Sequence, residues 1–130
     1  VALRGPSWLQ AQPELPYTPV TSYAGSDLLL QLTFLNSSSV PTEPTSITYE
    51  LDSLDSSQNV IPSTSLTPTG STQILQLPGS SMQLTRQLYG REGMQLWVSA
   101  VIPDTNASTG SIKVNQVVYI DLIQIATPPQ

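Results

Sequence analysis

The acid–base groups that this sequence can offer to chemistry are nearly all carboxylates. The chain has 130 residues with nine Asp and Glu, four Lys and Arg, no His and no Cys. Without His or Cys, neither a Ser-His-Asp triad nor a Cys-His pair can be written. A cysteine-containing zinc site is excluded for the same reason. Paired acids are what remain. Asp52 and Asp55 lie three apart around a strand end and a turn. Glycoside hydrolysis needs two carboxyls facing each other, about 5 to 9.5 Å apart. Two acids in a Ser-rich turn read instead as solvated turn residues. Asp52, Asp55 and Asn59 together offer calcium a set of oxygen ligands, but their spacing matches no calcium loop. Asp104-Thr-Asn106 gives the same result. Asp121, inside the last strand, is expected to face solvent or to pair with Lys113, Arg86 or Arg91. No catalytic residue, no metal ligand set and no cofactor is therefore assigned.

Binding candidates come next. Tyr89-Gly-Arg-Glu-Gly93 reads as a tight turn holding a charged pair, with the glycines supplying permissive backbone. Arg91 is its candidate partner-binding residue, together with Tyr89. Trp8, Trp97, Tyr49 and Tyr89 could make an aromatic platform for a sugar ring, although a strand tryptophan with apolar neighbours is more often core or interface. Four cations cannot form the basic stripe that nucleic acid requires, and they argue against docking on an anionic membrane. Asn36 and Asn106 head N-x-S sequons, which matter only in a eukaryotic secretory route.

These side chains must be carried by strands. Only 10% of residues are charged, against roughly a quarter in an average domain. Polarity comes from 18 Ser, 14 Thr and 12 Gln. Leu28, Leu30, Leu32 and Phe34 share one face of a period-2 run over 27–35. Ile47, Tyr49 and Leu51 alternate with Thr48, Glu50 and Asp52 over 46–54. A five-residue loop then leads to a short third strand at Val60-Ile61, ended by Pro62. Residues 63–71 are expected to be loop and 72–77 a fourth strand. Residues 80–91 read as a crossing loop with at most one short helix, Ser80 or Ser81 being possible caps. Met94, Leu96, Val98, Ala100 and Ile102 share a face over 92–102. The last strand, 111–126, is apolar on both parities, which implies a central strand or a bulge near Asn115-Gln116. Six to eight short strands without a convincing helix predict an all-β fold, an immunoglobulin-like antiparallel β-sandwich.

The domain is expected over 27–130, preceded by an extended Pro-rich N-terminal arm over 1–26. Pro6, Pro13, Pro16 and Pro19 exclude a helix interior or a central strand there. The arm nevertheless carries apolar side chains, and Trp8, Leu9, Leu15 and Tyr17 are its candidate partner-binding residues. It packs either on its own domain or across a neighbour. Fully extended, its 26 residues reach at most about 90 Å. No stretch approaches the length of a transmembrane helix, and the start at Val1 reads as a mature one.

Over most of residues 22–126 the chain resembles small immunoglobulin-like virion proteins of tailed bacteriophages. The resemblance rests on Ser22-Tyr-Ala-Gly-Ser-Asp-Leu-Leu-Leu-Gln-Leu-Thr-Phe, on Pro44-Thr-Ser-Ile-Thr-Tyr-Glu-Leu-Asp, and on the late strands Gln95-Leu-Trp-Val-Ser-Ala and Val117-Val-Tyr-Ile-Asp-Leu. It is a likeness of pattern, and it brings no catalytic motif. It implies a non-enzymatic structural role: a capsid decoration or cement subunit, or a component of the head–tail or tail apparatus. The implied partners are the major capsid protein or other virion proteins, with a homo-oligomer on the particle. The implied location is the virion, assembled in the host cytoplasm. A carbohydrate-binding or adhesion module is the alternative.

Overall fold

The computed structural model describes residues 2–4, 20–85 and 90–124, of which 2–4 are described as backbone. The described chain is all-β, without a helix, and in most strands buried side chains recur at every second position. The strands are β1 (Ala2–Arg4), β2 (Val20–Tyr23), β3 (Leu28–Leu35), β4 (Ser46–Ser53), β5 (Asn59–Leu66), β6 (Thr72–Leu77), β7 (Arg91–Pro103) and β8 (Ser111–Ile123). They form a three-stranded sheet in the order β1-β3-β6 and a five-stranded sheet in the order β2-β8-β7-β4-β5. In chain order the sheet changes after β1, β2, β3, β5 and β6, and only β4–β5 and β7–β8 are successive strands of one sheet.

The inward parities of both sheets meet in one core. Leu30, Leu32, Phe34, Leu75 and Leu77 come from the smaller sheet, and Ile47, Leu51, Met94, Leu96, Ile102, Ile120 and Leu122 from the larger. Each fully buried side chain of this kind contributes roughly 1.5–3 kcal/mol. This is how a chain without disulfides holds two sheets together. Met82 and Leu84, in the segment between β6 and β7, close one end of the core. That segment turns at 79–81 through Ser81 N–H to the Pro78 carbonyl (2.9 Å) and has no helix among its described residues.

Gly79 and Gly25 are in close contact beside this turn. A Cβ on Gly79 would lie 2.3 Å from the Gly25 carbonyl oxygen, and Gly25 itself has φ +84°. Asp27 fixes the approach, its carboxylate accepting from Gly79 N–H at 2.6 Å and from Gln76 Nε2 at 2.8 Å.

Two sequence expectations are corrected, over residues 63–66 and in the N-terminal segment. β5 continues through Pro62 to Leu66, so residues 63–66 are strand rather than loop. A proline is tolerated there because β5 is the sheet edge, and the β4–β5 register shifts between Tyr49 and Asp52. Of the two readings of the last strand, the central strand holds and the bulge near Asn115-Gln116 does not occur, since β8 lies between β2 and β7 and its pairing with β7 is continuous from Arg91↔Ile123 to Pro103↔Ser111. Its apolar residues on both parities reflect its place between β2 and β7. Finally, part of the expected arm lies in the sheets. Val20–Tyr23 pairs parallel with Ile120–Ile123, and Ala2–Arg4 pairs parallel with Thr33–Leu35.

Candidate functional site

The outer face of the five-stranded sheet gathers most of the polar and aromatic side chains of interest. On β7 the outward parity carries Arg91, Gln95, Trp97 and Ser99. Register places Glu50 of β4 and Val117 of β8 on either side of Trp97. One step along, Asp52 and Tyr119 flank Gln95. Trp97 is 43% exposed in mid-sheet. It borders a shallow depression of about 170 Å³ lined also by Thr48, Tyr49, Glu50, Ser63 and Ser99. The rim is polar and tied down: Ser99 Oγ lies 2.6 Å from Asn115 Oδ1, and Gln95 Nε2 lies 3.4 Å from the Tyr119 hydroxyl.

Glu50 and Asp52 share this face because the side-chain period of a strand is two. The Asp52 carboxylate beside it, through a shared hydrogen bond and then through like charge, raises the Glu50 pKa above its ordinary value. An acid whose pKa is raised by folding costs stability while ionised. That cost is present near neutral pH and disappears as pH falls through the raised value. Asp52 also accepts from Asn59 Nδ2 at 2.7 Å. Asp55 is turned elsewhere, accepting from Gly93 N–H at 3.0 Å. Asp52 and Asp55, the pair weighed from sequence, each have a separate hydrogen-bond partner, and the acid whose pKa Asp52 shifts is Glu50.

Arg91 and Asp121 form a bidentate ion pair, with Arg91 Nε 2.9 and 3.2 Å from the two carboxylate oxygens and an Arg91 NH2 group closing on Oδ2. Hydrogen bonding to Arg91 holds Asp121 below its usual range. Arg91 is thus a sheet-face residue already bound to Asp121. Glu92, read from sequence as its partner in a turn, points the other way. It is 1% exposed, and its carboxylate accepts from Ser53 Oγ (2.5 Å), Thr85 Oγ1 (2.6 Å) and Thr85 N–H (2.8 Å). Alternation along β7 was the signal: Glu92 has the parity of Met94.

Asp104 organises the opposite end. Its carboxylate accepts from the N–H groups of Ser37 and Asn106, both at 2.8 Å. Hydrogen bonds from Ser37 and Asn106 lower its pKa. The sequon asparagines are part of this cluster, Asn106 Nδ2 lying 3.2 Å from Ser38 Oγ and Asn36 Oδ1 accepting from Ser38 and Val40 N–H.

Of the aromatic platform, Trp97 is the one side chain among the described residues with the outward parity of this face. Tyr49 has the inward parity and packs against the core. Trp8, Leu9, Leu15, Tyr17 and Tyr89 lie outside the described residues. The outer face of the smaller sheet adds a second apolar exposure, Leu29 at 62% and Ile74 at 53%. Among the described residues no group of three or more potential metal-binding side chains occurs, and no helix is long and apolar enough to cross a membrane. Comparison of the chain with protein-family models, curated protein sequences and solved structures gives no match.

Proposed function

We propose that this chain is a non-enzymatic structural subunit of a bacteriophage virion, a capsid decoration or cement protein. It holds the major capsid protein or another virion protein through the outer face of its five-stranded sheet and through its N-terminal segment, as a homo-oligomer on the particle. One observation carries the binding role. Trp97 is large, apolar and half-exposed at the centre of a sheet face whose rim is hydroxyl, amide and carboxylate. An exposed aromatic at the centre of a polar rim is the composition of an interface hot spot. Leu29 and Ile74 give the other sheet a second contact surface. The virion setting is supported by the resemblance in pattern, whose segments cover most of β3 and β4 and the middle part of β7 and the later part of β8.

The test is the copy number of the chain in purified particles, measured by quantitative mass spectrometry. A decoration subunit is expected in hundreds of copies. Six or twelve copies would move the assignment to the head–tail or tail apparatus, and absence from the particle would overturn it. The depression beside Trp97 also favours a second reading, a carbohydrate-binding module, because an indole face with flanking hydroxyls suits a sugar ring. A response of Trp97 fluorescence to neutral polysaccharides would support it.

A further inference from the structure

The chemistry around Trp97 specifies its occupant more narrowly than an interface role requires. Glu50 and Asp52 stand side by side on the outward parity of β4, with Glu50 directly opposite Trp97. Among the described residues the sole ion pair is Arg91 with Asp121, so neither of these carboxylates is matched by a cation there. Lys113 shares the face but sits opposite Val101, four positions along β8 from the residue that flanks Trp97. Two neighbouring negative charges, an indole face and a shallow depression of about 170 Å³ are therefore together with no ion-paired cation among the described residues.

We propose that this depression receives the guanidinium of an arginine carried on an extended segment of the partner protein, stacked on the Trp97 indole and paired with the Glu50 carboxylate. The inference rests on the reading of this face as a protein-binding surface. Charge complementarity selects the occupant. A cation separates the crowding between Glu50 and Asp52 that otherwise raises the Glu50 pKa, whereas a neutral sugar leaves it in place. Arginine fits better than lysine, because a planar guanidinium can stack on the ring while its N–H fork meets a carboxylate. The hydroxyls of Thr48 and Ser63 are left to bond the main chain on either side of the inserted residue, while Ser99, whose Oγ donates to Asn115, can only accept.

The experiment is an NMR titration of the full chain. The probe is the peptide Gly-Ser-Arg-Ser-Gly, and its counterpart with citrulline replacing arginine is the neutral control. The Trp97 indole N–H is assigned with the Trp8→Phe variant. The arginine peptide is expected to shift the Trp97 signal and to bind about fivefold more tightly than the citrulline peptide. Glu50→Gln is expected to abolish that preference while leaving the melting temperature unchanged or higher, since it removes a like-charge contact. No shift at Trp97 at tens of millimolar arginine peptide, or equal binding of both peptides, would overturn the proposal. So would a larger response to the neutral oligosaccharide maltohexaose. The two levels separate cleanly. If the peptides fail while Trp97→Ala still weakens particle binding, the arginine assignment alone is wrong. If Trp97→Ala binds particles like the wild type, the protein-binding reading of the face is wrong.

Discussion

Glu92 shows how a single residue ties distant parts of the chain together. Its buried carboxylate collects Ser53 at the end of β4 and Thr85 in the segment between β6 and β7. Thr85 is in turn 2.8 Å from Ser56, in the β4–β5 turn. An unpaired buried polar group costs its full desolvation penalty. Glu92→Ala would leave the Ser53 and Thr85 hydroxyls facing an apolar methyl. It is expected to destabilise the fold by about 3 kcal/mol, read as a lower urea midpoint. An unchanged midpoint would mean that the carboxylate is not what holds the 78–85 segment down. Two acids of the sheet face act in opposite directions, Glu50 with a raised pKa costing stability while ionised and Asp121 adding to it. Asp121 has its pKa lowered by Arg91, so its contribution to stability is present above the unfolded value and lost as pH falls through the lowered one.

At the scale of elements, strands were the most legible feature of the sequence. β3, β4, β6 and β7 alternate cleanly, and their inward parities are the core. What was not legible depends on where a strand sits in its sheet. Pro62 reads as a strand end because a central strand cannot lose an N–H donor, yet β5 is an edge. Val20–Tyr23 reads as arm because it follows Pro19 and is short; only pairing with β8 makes it strand. The exposed face was half legible. Parity grouped Trp97 with Gln95 and Ser99, and Glu50 with Asp52, but only the β4–β7 register puts Glu50 opposite Trp97. The edge position of β2 makes a prediction. Removing residues 1–19 should cost less stability than removing 1–23, because the longer truncation also takes Val20 from the core margin and buried Ser22 from the sheet. Melting temperatures of the two truncations test this. Equal values would show that β2 contributes nothing to the sandwich.

For the whole molecule, the low charge is distributed with purpose. The two sheets spend their inward faces on one core, and their outward faces on hydroxyls, amides and a few exposed apolar groups. A net charge of −5 keeps the free chain dispersed, and part of it is concentrated in Glu50 and Asp52 beside the exposed indole. A surface of this kind suits repeated contact with other proteins, with little charge to desolvate. The most direct measurement is the binding of the purified chain to particles that lack it, for the wild type and for Trp97→Ala with matched melting temperatures. The wild type is expected to bind saturably, and Trp97→Ala is expected to lose binding or to show a rise in Kd of tenfold or more, roughly 1.4 kcal/mol. No binding by the wild type, or equal binding by both, would contradict it.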